Sequence, residues 1–333
     1  MPQLPVVIRG DANAELRGIA ALIEQMPVVV QPVIMPLICQ QVASTRSYEE
    51  FVHVNAVPKV QKRAPGAIGG GRTSIKQTIT VDTYEVEMEI DGDSYDDAQM
   101  AIYSGIASEL AVALILSADE LVTTNLVGIG STLTCFDNQN FYDTDHTWPN
   151  GEFTTSQVNY QTGTGVGGDN IENDFYLALN AMQLWKDDRG RLRIPASDLL
   201  STDSLMVHHP VGLNQMMHRV FGATPSGEPF NITSTSAPFS SATAPFMRTS
   251  ALSGRALHIA DGYLTGNSWY VHNVKNAGGF KPFAFLDREG PRVEILAKGT
   301  EHFTKNRTVL IKGTRRFGLG VLRPERSQQV YNT

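Results

Sequence analysis

Three patterns in the 333 residues predict an α+β fold. Apolar residues alternate with period two along residues 75–90 and recur in later short runs; apolar residues fall at helical spacing across 102–121 and 175–185; and 29 glycines and 17 prolines are spread along the chain, separating the elements by turns.

The first element is a short amphipathic helix. Asp11 is its N-cap candidate, and Leu16, Ile19, Ile23 and Met26 form one buried stripe. The apolar stretch Pro27 to Ile38 holds Pro27, Pro32 and Pro36, each of which removes a donor and biases its predecessor away from helix, so an extended arm is expected, laid across something other than its own small core. Residues 46–90 predict two long strands around a Gly-rich tip, Pro65 to Arg72. On the returning strand Ile75, Ile79 and Val81 are apolar at odd positions, then Tyr84, Val86, Met88 and Ile90 at even ones, so the buried face must swap at Asp82–Thr83. A hairpin alone is marginal in water, and its distal half is expected to need a partner.

Ser94-Tyr-Asp-Asp97 has the form of a capping box with Asp96 and Asp97 at the favourable end of the helix dipole. Ile102, Ile106, Leu110, Ala113, Leu114 and Leu121 then describe a helix of about 28 residues, roughly 40 Å long, ended by Gly128 and Gly130. Residues 128–170 are turn-rich. A second helix follows an Asp169/Asn170 cap, with Phe175, Ala178, Leu179, Met182 and Trp185 inward, and Asp187 to Gly190 closes it. Beyond it the pattern predicts a strand at Leu205 to His208, a helix after Pro210 through Phe221, and a Ser/Thr/Pro-rich loop from Ala223 to Thr249. Strands are predicted at Ser268 to Val274, Val293 to Ala297 and Val309 to Leu322. No internal repeat is apparent.

Charged residues are only 18% of the chain, so little of the exterior is solvated by charge and much of it is expected to be covered by copies of the same chain. The net charge of −7 excludes a dedicated duplex-binding domain, yet permits an inner wall that merely faces nucleic acid. Cys39 and Cys135 are too few for a disulfide framework and are expected as buried thiols. No secretory signal is visible. The prolines interrupt one apolar run, and Asp119 and Glu120 interrupt the other, Leu110 to Leu121, so a soluble protein without a membrane partner is expected.

Three stretches look chemical. Gly66 to Thr73 approaches the phosphate-binding loop pattern, but Arg72 replaces its lysine and a strand-like segment follows, so a basic tip carrying Lys62, Arg63 and Arg72 is the better reading. Asp91-Gly-Asp93 begins like a calcium loop and then loses its glycine and closing acid. Asp143-Thr-Asp145-His146 is the most enzyme-like phrase, and a metal-dependent hydrolase built on Asp143, Asp145 and His146 is the alternative from another class. His208 and His209, adjacent on a strand, point to opposite faces and can hardly share an ion. No transferable catalytic frame occurs, and no enzyme activity, metal or cofactor is expected.

The phrase Leu133-Thr-Cys-Phe-Asp-Asn-Gln-Asn-Phe-Tyr-Asp-Thr-Asp-His146 resembles the Mu-like major head subunit (gpT) family of tailed-phage capsid proteins, in which a long helix and a short Gly-rich link precede a phrase of the type FDG…FFDTDHP. Asn138, Gln139, Tyr142 and the Thr-Trp-Pro after His146 depart from it. Other phrases fall in the family's order between residues 46 and 325: Tyr48 to Phe51, Tyr84 onward to Tyr95-Asp-Asp97, Ala181 to Gly190 running into Ile194-Pro195, then Trp269, Lys281-Pro-Phe283 and Arg316 to Gly320.

The resemblance implies the Hong Kong 97 phage capsid fold, with an N-terminal arm at 1–45, an extended hairpin loop at 46–90, a peripheral domain with a long spine helix at 91–200 and 285–333, and an axial domain at 201–284. It implies pentamers and hexamers of an icosahedral head, assembled in the bacterial host cytoplasm and ending in the virion. The implied partners are a portal, decoration or scaffold proteins, and packaged double-stranded DNA faced non-specifically. The expected inter-subunit contacts are Lys62, Arg63 and Arg72 at the hairpin tip and Val28, Val33, Ile34 and Leu37 on the arm. Some relatives crosslink the hairpin covalently; nothing in the spacing singles out Lys59, Lys62 or Lys76, and no crosslink is expected. Within the same fold, an encapsulin-like nanocompartment shell is the other reading.

Overall fold

The computed structural model describes residues 4–12, 14–54, 74–96, 103–148, 153–200, 204–222, 252, 254–275 and 281–332. The hairpin tip, with Lys62, Arg63, Arg72 and the Gly66–Thr73 stretch, lies outside the described residues, as does the 223–249 loop.

The elements run β1 (Val6–Arg9), α1 (Ala14–Val29), α2 (Ile34–Ile38), β2 (Cys39–Ala43), β3 (Tyr48–Val54), β4 (Ser74–Thr80), β5 (Asp82–Asp91), α3 (Gly92–Asp96) and α4 (Tyr103–Val122). A π-helical turn, Thr123–Val127, is followed by β6 (Tyr160–Thr162), α5 (Gly168–Leu184), α6 (Ala196–Leu200), β7 (Leu205–Pro210), the 3-10 turn Val211–Leu213 and α7 (Asn214–Phe221). The chain ends with β8 (Leu257–Asp261), β9 (Trp269–Asn273), β10 (Phe283–Leu296), α8 (Glu301–Asn306), β11 (Thr308–Val321) and β12 (Ser327–Tyr331). The mixture is the α+β class expected. The chain divides into two compact units, one of Met1–Glu50, Thr78–Thr123 and Ala284–Gly320, the other of Phe51–Gln77, Thr124–Phe283 and Val321–Thr333.

The first unit is built on a sheet of order β1-β10-β11-β5, with β2 also paired to β10. β1 runs parallel to β10, and β11 antiparallel to β5 from Thr308 opposite Asp91 to Phe317 opposite Asp82. Leu16, Ile19 and Ile23 of α1 and Leu110 and Leu114 of α4 share a core with Ile90, Val309 and Ile311, so the predicted α1 stripe is the one buried. The β3–β4 hairpin is a separate two-stranded sheet. Alternate burial holds Ile75, Gln77 and Ile79 on one face and Tyr84, Val86, Met88 and Ile90 on the other phase. The phase change at Asp82–Thr83 is therefore where the chain leaves one sheet, paired with β3, and enters another, paired with β11.

One expectation for this unit is corrected. The Pro27–Ile38 stretch is largely helical rather than extended. α1 continues through Pro27, its last turn closed by the Val30 N–H to the Met26 carbonyl at 2.9 Å. Pro36 sits in the first turn of α2, where an N–H would have no intrahelical partner anyway. Asp91 opens the short α3, its carboxylate accepting the N–H groups of Asp93 and Ser94 at 3.0 and 3.3 Å; Asp97, the other half of the Ser94 capping box, lies outside the described residues. α4 has twenty residues, and its buried face is Ala107, Leu110, Ala111, Leu114, Ile115, Ala118 and Val122; Ile106 and Ala113 face out. By length and composition Tyr103–Val127 could cross a membrane, but more than half of its most apolar stretch is buried inside the protein.

The second unit centres on a sheet of order β6-β12-β9-β7-β8. β7 and β9 are buried along their whole length. Phe175, Ala178, Leu179 and Met182 of α5 and Met217, Val220 and Phe221 of α7 join the core formed with Leu205, Val207, Trp269, Val271 and Val330. The loop before α5 has its end at Gly167, two residues ahead of the predicted cap. Gly130 is required by packing, since a Cβ there would lie 2.4 Å from the Tyr142 ring.

Candidate assembly surfaces and buried polar sites

The arm residues expected at subunit contacts are divided by the structure. Val33 is 56% exposed, Leu37 is half-buried, and Ile34 is buried within its own unit and so is committed to its own chain. Val28 lies in the last turn of α1. The turn between the two helices is held by a residue that sequence reasoning took only as an interruption: Asp119, buried on α4, accepts the N–H groups of Val33, Ile34 and Met35 at 2.6, 3.1 and 2.7 Å. A carboxylate at a helix N-terminus satisfies orphan donors and complements the dipole. Pro27, Val30 and Pro32 of the same arm form one wall of a groove of about 800 Å³, whose other walls include Ile115, Pro291 and Arg315.

Arg315 is buried between two rings, its guanidinium 5.2 Å from both Phe285 and Phe317, and donates to the Ile115 carbonyl at 3.3 Å. Burial lowers its pKa, with Asp287 and Asp119 acting in the opposite sense. On β5 and β11 the ion pairs are exposed ones, Lys312 with Glu85 and Glu87 at 2.7 and 3.0 Å, and each contributes about 0–1 kcal/mol. The hairpin carries Tyr48 and Val52 as exposed apolar side chains.

The histidine of the enzyme-like phrase is tied into the local fold. His146 is buried, and its Nδ1 meets Asp137, not Asp143 or Asp145, at 2.7 Å. Its Nε2 lies 3.2 Å from both the Phe141 carbonyl and the Asn159 Oδ1, while Asn159 Nδ2 donates to the Phe141 and Pro324 carbonyls. Burial works to lower the His146 pKa, but the bond to Asp137 and its charge outweigh this and the net shift is upward. Asp143 spends its carboxylate on the Thr144 N–H, and Asp145 is exposed and bonded to Gln139. The buried imidazole is thus bonded to Asp137 and not to the acids of the hydrolase alternative, and among the described residues no group of three or more His, Cys, Asp or Glu side chains is placed to hold a metal.

His208 and His209 do point apart. His208 pairs with Asp261 at 2.8 Å, and His209 stacks beside His258 with ring centroids 5.7 Å apart. Burial pushes the His209 pKa down to about 4, and it drives His272 well below its ordinary value. Cys39 and Cys135 are buried free thiols, and burial beside Asp137 raises the Cys135 pKa. Asp119 and Asp261 act on residues far from them in sequence, and Asp137 reaches His146 only through the turn of their shared loop. The available signal was a lone acid in an apolar helix run at Asp119, and the Phe136-Asp137 pair inside the family-like phrase.

The model of the family described as Mu-like prophage major head subunit gpT matches residues 28–186. The match thus starts inside the arm and takes in the hairpin, α4 and the 133–146 phrase; the later phrases, from Ile194 on, lie beyond it. The major capsid protein of Escherichia phage Mu is 33% identical over 96 residues, 27% of this chain and 31% of that protein, so the aligned stretch spans about a third of the relative's length. Among solved structures, the mature capsid of bacteriophage PhiM1 is similar with a TM-score of 0.55 at 12% identity, over 91% of this chain and 88% of that one. The virus-like particle of Pyrococcus furiosus is similar with a TM-score of 0.50 at 9% identity, over 96% and 100%. The chain has the Hong Kong 97 phage capsid fold, and residues 28–186 are similar to the Mu-like gpT head subunit family.

Proposed function

We propose that this chain is the major capsid protein of a tailed bacteriophage, a structural rather than catalytic subunit that builds pentamers and hexamers of an icosahedral head around double-stranded DNA. The observation that carries this is the gpT family match across residues 28–186. The fold by itself is shared with a virus-like particle, so the family match is what favours a phage head over a nanocompartment shell.

The mechanism is association. Residues 91–200 with 285–333 serve as the peripheral domain and residues 201–284 as the axial domain, and the hairpin and arm reach adjacent copies. Each contact would bury on the order of 1,000–2,000 Å². Apolar side chains such as Val33 contribute roughly 1.5–3 kcal/mol when fully covered, more than exposed ion pairs at the tip. The head is assembled in the host cytoplasm and becomes part of the virion, with a portal and scaffold or decoration proteins as partners. Sedimentation velocity and negative-stain microscopy of the purified chain test this: capsomers or closed shells are expected, and a strictly monomeric species at every concentration and salt would contradict it.

A further inference from the structure

Among the described residues two arginines are buried, Arg315 and Arg326, and the fold treats them differently. Arg326 lies 3.8 Å from the Asp198 carboxylate. Arg315, 6% exposed, makes no ion pair with any described carboxylate. Its hydrogen bond runs from Nη1 to the Ile115 carbonyl, and neither the buried Nε nor Nη2 meets an acceptor among the described residues. Asp119 spends its carboxylate on the N–H groups of Val33, Ile34 and Met35, and Asp287 is exposed. A buried cation that is neither paired nor fully hydrogen-bonded is costly, so this charge favours an anion beside it.

Arg315 lines the groove of about 800 Å³ beside the arm, and every wall of that groove belongs to the first unit. The volume is in the range of small-molecule sites, which are mostly apolar with a few placed polar groups. Four of the wall residues are Pro5, Pro27, Pro32 and Pro291. Proline has no N–H and a fixed φ, so these walls offer few donors and are largely preformed. Val30 and Ile115 extend the apolar lining. Of the acids at the groove, Glu289 is tied to Arg316 at 2.8 Å and Asp287 faces solvent. An apolar body with one anionic head matches these walls and this floor. A carboxylate suits the planar guanidinium fork, whereas a neutral molecule would leave its charge unanswered.

We infer that the groove is a binding site for a small amphipathic carboxylate, an alkyl monocarboxylic acid. Its head pairs with the Arg315 guanidinium and its chain lies against the proline walls. The inference does not depend on the capsid reading.

Decanoate is the probe and decanol its neutral counterpart, each titrated calorimetrically into the full chain, both assembled and dissociated. One decanoate per subunit is expected in both forms, bound in preference to decanol. Arg315→Met removes the charge at similar length and should unfold at the wild-type temperature or above it, because an unpaired buried charge is lost. In that variant the preference for decanoate over decanol should fall roughly tenfold or more. Val30→Trp fills the groove with Arg315 intact and should abolish binding of both ligands. Should Arg315→Met fail to fold, the wild-type preference and the Val30→Trp result decide.

No saturable decanoate binding, equal loss of both ligands in Arg315→Met, or binding untouched by Val30→Trp would each overturn the proposal. Binding to dissociated subunits alone would assign the groove to a neighbouring copy and overturn it too. None of these results bears on the capsid reading.

Discussion

The Asp119 carboxylate accepts the Met35 backbone N–H at 2.7 Å, across 84 positions of sequence. With the bonds to Val33 and Ile34, one buried side chain on the long helix determines where the proline-rich arm turns and restarts as helix. Asp119→Ala would leave three donors without this acceptor and should cost about 3 kcal/mol or more, read as a lower urea midpoint; Asp119→Asn, which keeps one carbonyl oxygen, should lose less. Equal stability of wild type and both variants would remove Asp119 from this role.

His146 should behave as a structural imidazole with a raised pKa. Its folded value lies above the unfolded one of about 6.5, so the stability from its protonated pairing with Asp137 is fully present below that pH and is lost as pH rises through the raised value. The stability gap between wild type and His146→Gln should therefore narrow from pH 6 to pH 9. Metal analysis of both proteins should give no stoichiometric ion; a bound ion lost in the variant would revive the hydrolase alternative.

His209 has the opposite sign. Its Nδ1–H donates to the Pro210 carbonyl and its buried Nε2 has no partner, so its value near 4 lies below the unfolded 6.5. Its contribution is fully present above pH 6.5 and is lost as pH falls toward 4, up to about 3 kcal/mol, with His272 acting in the same direction. All three tryptophans, Trp148, Trp185 and Trp269, lie in the same compact unit as His209, so their fluorescence reports on it. Acid unfolding followed that way should shift to lower pH in His209→Gln; an unchanged midpoint would count against the assignment.

Gly318 lies on β11 where a Cβ would stand 2.3 Å from the Thr80 carbonyl oxygen, a backbone atom that cannot swing aside. Gly318→Ala should cost about 2–3 kcal/mol and displace the end of β4. At Gly320 the corresponding contact is the Ile79 side chain, which can shift where a backbone oxygen cannot, and Gly320→Ala should cost less. Thermal unfolding of the pair measures the order, and the reverse order would contradict the packing.

What could be read from the residues alone was local periodicity. The switch of buried face at Asp82–Thr83 was legible because strand alternation survives on both sides of it, and the α1 stripe because Leu16, Ile19 and Ile23 keep helical spacing. Pro36 misled because the bonds that restart the helix before it come from Asp119, which no local window contains, and Pro27 because α1 runs on through it to close its last turn at Val30. The polar strand Ser327–Tyr331 was missed for a similar reason: its pairing with β6 and β9 joins positions far apart in sequence. At the candidate site, His146 was singled out with the wrong carboxylates, since proximity in sequence favoured Asp143 and Asp145 while the loop's own turn delivers Asp137.

The most direct test of the account is microscopy and sedimentation of a chain lacking Pro65 to Arg72 beside the full chain. The full chain should give closed particles, and the deletion should give soluble, folded subunits that stop short of intact shells. Normal particles from the deleted chain would contradict the claim that the hairpin completes itself on a neighbour.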